Sequence, residues 1–236
     1  MRGLLICFSG LWAALVPAEA QDIPQSLDFA GCTHFVTIHD RSCEVHHVYT
    51  CQGRGPVQGG TRSFREDRLF YEVLTNDRGY MVEDLQFFDD GTRHHARLRP
   101  DSVTFETRPR GDGGTTEETR RSYDLLVPGG ALDLREYART EVFPFGEEVL
   151  QFSAKPYTHI TGTTVSSDGF PVQRFSTRTE GHLVEGKQPL YLHKSYSFRY
   201  EGEEEVVQDV SPVAVLAPGE EGFDARTSIL ACGQVS

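Results

Sequence analysis

Residues 31–51 read GCTHFVTIHDRSCEVHHVYTC and hold three of the five cysteines and four of the nine histidines in the chain. Two β-branched and aromatic runs, 34–38 and 45–49, stand on either side of the polar residues 40–42. Such runs, separated by a short polar turn, are typical of a β-hairpin. We therefore predict two antiparallel strands with a turn centred at Arg41-Ser42.

This turn predicts which residues of the hairpin face each other. Residues whose numbers sum to about 83 would be opposed, which sets Cys32 opposite Cys51 and Val36 opposite His47. Directly opposed residues have Cβ atoms about 4.5–5.5 Å apart, close to the span that a disulfide requires. We therefore predict a Cys32–Cys51 disulfide.

The two other cysteines beyond the N-terminal apolar run are Cys43 and Cys232. Cys43 lies by the turn, too far along the strand to reach Cys32 at a rise of about 3.4 Å per residue. An even number of cysteines in an exported chain favours complete pairing. By elimination, we expect Cys43 to bond with Cys232.

The histidines of the hairpin raise the question of a metal site. In the predicted register His34 and His47 share one face, whereas His46 and His39 point to the other because strand residues alternate. Two ligands of a tetrahedral site are then plausible, but four are not. We predict a disulfide-bonded hairpin with no metal and no cofactor, and His34 and His47 are the candidate ligands if a metal does bind.

The first twenty residues resemble a signal peptide. Arg2 precedes a mostly apolar run over residues 4–16, and Ala18-Glu19-Ala20 fits a signal peptidase site. We predict a signal peptide at 1–20, a single β-rich domain at 21–236, and a periplasmic or secreted location. No later run approaches the roughly 18 apolar residues that a transmembrane helix needs, so we expect none.

The charge of the chain argues against one class of partner. The formal net charge is −12, and a nucleic-acid-binding protein needs clustered lysine and arginine to neutralise phosphates. Nucleic acid is therefore an improbable partner. No nucleophile elbow, zinc-protease motif or paired-cysteine redox motif occurs in the sequence, so we assign no catalytic residues and favour a non-enzymatic protein over an enzyme.

Period-two runs and turns continue along the chain, and helical patterns are sparse. Asp89-Asp90-Gly91 and Ser167-Asp168-Gly169 are hairpin signals, residues 53–59 are interpreted as an exposed turn, and 132–140 and 147–152 are the best helix candidates. Frequent strands separated by turns predict an all-β, mainly antiparallel fold with few short helices. We expect a curved meander that forms a half-barrel, a barrel or a sandwich.

The predicted signal peptide, the long antiparallel strands and the late hairpin phrase Asp168-Gly169-Phe170-Pro171-Val172-Gln173 together resemble the periplasmic half-β-barrel proteins of the outer-membrane lipoprotein carrier type. That resemblance implies a curved sheet around an apolar groove that holds a lipid or another hydrophobic ligand. The carrier's helical lid is not predicted, because this sequence has few helical stretches.

Three functional hypotheses follow. The first is a non-enzymatic periplasmic protein that binds a hydrophobic or lipid-like ligand in the groove of a curved sheet. The second is a secreted hydrolase whose carboxylates and histidines converge only in the fold. The third is an envelope assembly factor that offers an exposed sheet edge to a protein partner.

Overall fold

A computed structural model describes residues 23–167, 172–185 and 189–230 of the chain. In this part of the chain there are fifteen strands, one 3₁₀ turn at Pro100–Ser102 and no α-helix. The strands are β1 (Cys32–Asp40), β2 (Glu44–Arg54), β3 (Val57–Arg65), β4 (Arg68–Thr75), β5 (Met81–Phe87), β6 (Arg93–Leu98), β7 (Thr104–Pro109), β8 (Thr115–Val127), β9 (Gly130–Val142), β10 (Glu147–Val149), β11 (Phe152–Ser166), β12 (Gln173–Val184), β13 (Leu190–Tyr200), β14 (Val206–Asp209) and β15 (Pro212–Leu216).

All fifteen strands belong to one antiparallel sheet, which confirms the predicted all-β meander. Its order is β14-β13-β12-β11-β9-β8-β6-β5-β4-β3-β2-β1-β15, while β10 pairs with β11 and β7 pairs with β8. The ladder is not closed into a barrel. The sheet is curved, because the turn between β4 and β5 reaches strands far from it in this order. Arg78 Nη1 lies 3.2 Å from Glu117 Oε2 of β8, and a Cβ on Gly79 would meet Tyr191 of β13 at 2.9 Å.

The two ends of the sheet are joined by one short segment of the chain. β14 pairs with β13, whereas β15 pairs with β1 at the opposite end of the order, and only Val210 and Ser211 separate the two strands. Val210 N donates to Lys194 O at 3.1 Å, and Arg41 N donates to Ser211 O at 3.0 Å. Residues 206–216 therefore connect the two edges, although no continuous ladder closes the sheet there.

The first hairpin forms with the predicted turn and, over its open end, with the predicted register. Cys32 lies opposite Cys51, and His34 lies opposite Tyr49. The predicted pairing of Val36 with His47 is wrong, because a bulge between His34 and Val36 shifts the register. The extra residue also reverses the expected alternation. His39 consequently lies on the same face as His34.

Two further predictions about secondary structure are wrong. Residues 132–140 lie inside strand β9, and residues 147–152 contain strand β10 and a turn, so neither stretch is a helix. The exposed turn predicted at 53–59 is shorter than expected, because β2 continues to Arg54 and β3 begins at Val57. The strands around Asp168-Gly169 pair as a hairpin, but both residues of that turn lie outside the described residues.

The sheet has two chemically different faces. We call inner face the one whose side chains are buried along β8, β9 and β11, including Thr119, Tyr123, Ala138 and Thr161. The outer face of β8 and β9 carries exposed side chains that are mostly charged, namely Arg120, Asp124, Arg135, Tyr137 and Arg139. Because successive strand residues point to opposite faces, most of the buried side chains in this half of the sheet lie on the inner face.

The outer face of β2–β5 is covered by the segment that precedes β1. Leu27 is buried against Leu74 and Leu85 in an apolar cluster that also contains Cys51 and Val57. Buried Glu72 holds the segment in place, because Leu27 N donates to Glu72 Oε2 at 2.7 Å and Ser26 Oγ donates to Glu72 Oε1 at 2.8 Å. No helix in the described parts of the chain has the length and apolar character needed to cross a membrane.

Candidate functional sites on the two faces

The histidines of the first hairpin are divided between the two faces of the sheet. His34 and His47 stack on the outer face with ring centroids 4.4 Å apart. His34 Nε2 donates to Val36 O at 3.1 Å, and His47 Nε2 donates to Ala225 O at 2.7 Å. Because a carbonyl only accepts, each Nε2 carries a proton. Only the two Nδ1 atoms are then able to bind a metal, and they belong to nearly parallel, stacked rings.

The C-terminal segment covers these outer-face histidines. Phe223 stacks on His34 with centroids 4.0 Å apart, and Ile229 N donates to His39 Nδ1 at 3.3 Å. Burial under this segment lowers the pKa of His34 and of His47, and the charge of His47 lowers that of His34 further. All three histidines thus pack against the end of the described chain, which is a structural role for them.

The disulfide predicted across the hairpin is confirmed. Cys32 and Cys51 are bonded at a sequence separation of 19 residues. Cys43 is also disulfide-bonded. Its predicted partner, Cys232, lies outside the described residues, as does the predicted signal peptide at 1–20, so the Cys43–Cys232 pairing stays a prediction.

His46 lies on the inner face between a carboxylate and a hydroxyl. His46 Nε2 is 3.0 Å from Asp40 Oδ2, and Nδ1 is 2.8 Å from Ser63 Oγ of β3. A serine, a histidine and an aspartate in series are the elements of a hydrolytic triad. Ser63, however, is only 3% exposed, so its oxygen is shielded from a substrate. The serine here orients the imidazole ring.

A third potential ligand approaches the same imidazole. Glu44 Oε2 lies 4.0 Å from His46 Nε2, and the ligand atoms of Asp40, Glu44 and His46 all fall within 4.8 Å of one another. We call these three residues the Asp–Glu–His cluster. Each of them lies at the hairpin turn, where β1 ends and β2 begins.

A polar cluster holds the two halves of the curved sheet together across the inner face. Arg121 of β8 pairs with Glu136 of β9, and its guanidinium lies over the Tyr80 ring at 4.8 Å from the centroid. Burial raises the pKa of Asp84 on β5 to about 6, against hydrogen bonds from Gln86, Ala96 N and Tyr71. The contact of Arg121 with Tyr80 joins β8 to the turn between β4 and β5 and so stabilises the curvature.

Aromatic side chains of a different kind lie further along the inner face. Phe175, Phe198 and Tyr200 are half-buried, and Tyr196 is 37% exposed. The register aligns Phe175 with Tyr200 and Thr177 with Phe198, and the rings of Phe198 and Tyr200 are 4.7 Å apart. By contrast, Tyr123 in the core is fully buried. We call these four side chains the aromatic patch.

The aromatic patch lies beside the edge of the sheet. Val206 of β14 pairs with Phe198 and is 46% exposed. All four residues of β14 are exposed. The patch therefore offers a partly accessible apolar surface next to a short edge strand, and it can contact an apolar molecule without displacing a core residue.

His159 occupies the inner face of β11 and makes stability depend on pH. Burial, followed by the charge of Arg121, lowers its pKa to about 4. Its Nδ1 lies 2.7 Å from Thr140 Oγ1, and the register places Glu117 and Thr179 in the same row. The neutral ring therefore stabilises the fold above pH 6.5, and this contribution is lost as the pH falls from 6.5 towards 4.

Replacing His159 with glutamine should reduce the acid sensitivity of the protein. One pKa unit corresponds to about 1.4 kcal/mol, and partial exposure of the ring reduces the expected contribution to about 2 kcal/mol. Urea unfolding at pH 7.5 and pH 4.5 measures the change, with half-buried His182→Gln as the matched control. If the free energy of unfolding falls by the same amount from pH 7.5 to pH 4.5 in the wild type and in His159→Gln, the prediction is contradicted.

The residues of the Asp–Glu–His cluster and Ser63 were not predicted as a site. Asp40 and Glu44 border the predicted turn, where acidic residues are common, and Ser63 lies in the unpredicted strand β3. Asp40, Glu44 and His46 have even sequence spacings, which would place them on one face of a continuous strand. The turn between Asp40 and Glu44 interrupts the strand, so this spacing does not by itself predict that they share a face.

Comparison with known proteins yields no relative. No protein-family model, curated protein or solved structure matches the chain. The resemblance to the lipoprotein carrier type therefore stays a prediction, and the function must be argued from the residues themselves.

Proposed function

We propose that this chain is an exported, non-enzymatic protein that binds a hydrophobic, lipid-like molecule on the inner face of its curved sheet. The observation that carries this proposal is the aromatic patch. Four neighbouring aromatic side chains remain partly accessible together on this face, whereas Tyr123 and Tyr157 of the same face are buried. Burial of apolar surface is the main favourable term in binding such a ligand.

The arrangement of the two faces supports the proposal. The charged outer face of β8 and β9 favours contact with water, so an apolar ligand gains more by contact with the inner face. Thr161 and Thr177, whose hydroxyls are 2.8 Å apart, adjoin the patch with their oxygens occupied by each other.

Export is supported by the cysteines. Two of the described cysteines form the Cys32–Cys51 disulfide and the third, Cys43, is also bonded. Disulfides persist in oxidising compartments such as the periplasm. The predicted signal peptide agrees with this location.

An assembly factor that binds a protein partner at a sheet edge is less well supported. The edge strand β14 has four residues, and the two that follow it already bond with β13 and with the β1–β2 turn. Strand addition needs a row of available backbone groups, and β14 offers a short one.

The double variant Phe175→Ala/Phe198→Ala should lose affinity for a fluorescent fatty acid by about 10- to 100-fold. Full burial of one phenylalanine side chain contributes about 1.5–3 kcal/mol, and the two rings are already half-buried, so together they gain about as much as one ring on binding. Each 1.4 kcal/mol is a factor of about ten. Fluorescence titration of the oxidised mature chain gives the dissociation constants. Phe145→Ala is the matched control, because Phe145 is 80% exposed outside the patch.

Equal affinities of the double variant and the wild type would contradict the proposal. Native mass spectrometry of the protein purified from the periplasm adds a second readout. A bound mass that disappears on denaturation, and that is smaller in amount for the double variant, identifies the natural ligand as an occupant of the patch.

A further inference from the structure

The Asp–Glu–His cluster combines two carboxylates and an imidazole around one point. We propose that Asp40, Glu44 and His46 form a binding site for a divalent transition-metal cation such as Zn²⁺. This site is separate from the aromatic patch and does not depend on the proposed ligand. The donor set is the first reason, since one imidazole nitrogen and two carboxylate oxygens are the ligands of many zinc centres.

The spacing of the ligand atoms is the second reason. Zinc lies about 2.0–2.2 Å from nitrogen and oxygen ligands in a tetrahedral site, so those ligands are about 3.3–3.5 Å from each other. His46 Nε2 is 3.0 Å from Asp40 Oδ2 and 4.0 Å from Glu44 Oε2. These values lie on either side of the tetrahedral spacing, so small side-chain rotations bring all three atoms to a common cation.

The supporting contacts around the ligands are the third reason. Zinc-bound histidines almost always use their second nitrogen in a hydrogen bond that fixes the ring, and His46 Nδ1 contacts Ser63 Oγ. In Asp40 the second oxygen, Oδ1, accepts from Ser42 Oγ at 2.7 Å and from Glu44 N at 3.0 Å. In Glu44 the second oxygen, Oε1, pairs with Arg65. Each ligand therefore leaves one donor atom facing the common point.

The location suits a three-ligand site with an open position. The Asp40 side chain is 4% exposed, whereas those of Glu44 and His46 are 14% and 23% exposed. A cation enters from the side of Glu44 and His46 and keeps a solvent ligand there. The turn holds Asp40 and Glu44 in place, because Cys43 N donates to Asp40 O at 3.2 Å and Cys43 is itself disulfide-bonded.

Isothermal titration of the oxidised mature chain with Zn²⁺, after removal of metals with a chelator, tests the site. We expect one equivalent to bind, with the affinity reduced by about 10- to 100-fold or more in His46→Gln and in Glu44→Gln, since changes around a metal site have effects of at least this size. His182→Gln is the matched control, because His182 pairs with only one carboxylate, Glu147. Its affinity for Zn²⁺ should equal that of the wild type.

Visible absorption of bound Co²⁺ provides a second readout. This absorption would not depend on the cluster if His46 had a purely structural role. We expect a spectrum of low-coordinate nitrogen and oxygen ligation that is lost in Glu44→Gln. Absence of stoichiometric binding, or unchanged binding in both variants, overturns the proposal and leaves the cluster as an ion pair of the hairpin turn. If His46→Gln fails to fold, Glu44→Gln decides alone.

Discussion

Replacing Glu72 with alanine should lower the free energy of unfolding by about 3–5 kcal/mol, the cost of breaking a buried ion pair. The Glu72 side chain is fully buried, and its Oε1 accepts from Arg62 Nε at 2.9 Å. Alanine would leave Arg62 without this partner and would leave Leu27 N without its acceptor. The segment before β1 would then lose its hydrogen bonds with Glu72 and keep the one that Arg93 Nη1 donates to Pro24 O.

Urea unfolding at neutral pH, monitored by far-ultraviolet circular dichroism, measures this loss of stability. Glu106→Ala is the matched control, because Glu106 also pairs with an arginine, Arg108, but on the exposed strand β7. An exposed ion pair contributes little to stability, so this control should unfold at nearly the wild-type urea concentration. Similar midpoints for both variants would show that Glu72 does not hold the N-terminal segment.

The second large effect is expected from the hairpin disulfide. Changing Cys32 and Cys51 together to alanine should lower the free energy of unfolding by about 3 kcal/mol, because a bond that closes a loop of this length restricts the unfolded chain. The loop spans a sequence separation of 19 residues. Cys51 is also part of the apolar cluster with Leu27 and Leu74, so alanine removes some packing as well.

Comparison of the urea midpoints of the double variant and the wild type, both without reductant, measures the contribution of this disulfide to stability. Adding reductant to the double variant then reports on the disulfide of Cys43 alone. A midpoint in the double variant equal to that of the oxidised wild type would mean that the hairpin register is maintained by strand pairing and not by the covalent bond.

The first hairpin shows how far local sequence determines structure. The turn residues and the opposed cysteines were sufficient to predict the pairing of Cys32 with Cys51 and of His34 with Tyr49. The bulge at His34–Val36 could not be predicted, because nothing in the local pattern distinguishes an inserted residue from a regular strand. That single residue determines that His39 joins His34 and His47 under the C-terminal segment.

Strand β3 was missed for a reason that lies elsewhere in the fold. Its start contains Gly59 and Gly60, which favour a turn by composition. A Cβ on Gly60 would meet Val73 O at 2.7 Å and the Phe29 ring at 2.8 Å. The glycine is therefore needed because the N-terminal segment packs closely on the strand, and a contact with a distant segment cannot be recognised from the local pattern.

The candidate sites were less predictable than the fold. His34 and His47 were correctly expected to share a face, yet the Asp–Glu–His cluster formed around His46 on the other face. The cluster depends on the turn, which brings Asp40 beside His46, and on Ser63 of β3, which contacts the second nitrogen of the His46 ring. Helix was wrongly predicted at 132–140 because its leucines, alanine and arginines are good helix formers, whereas tertiary pairing with β8 and β11 makes this stretch a strand.

Residues 206–216 connect two edges of the curved sheet that differ in burial. β14 is exposed throughout, whereas β15 contributes Val215 to a buried cluster with Ile38 and Leu192. The edge beside the aromatic patch is therefore open to solvent, whereas the edge beside β1 is held by apolar packing.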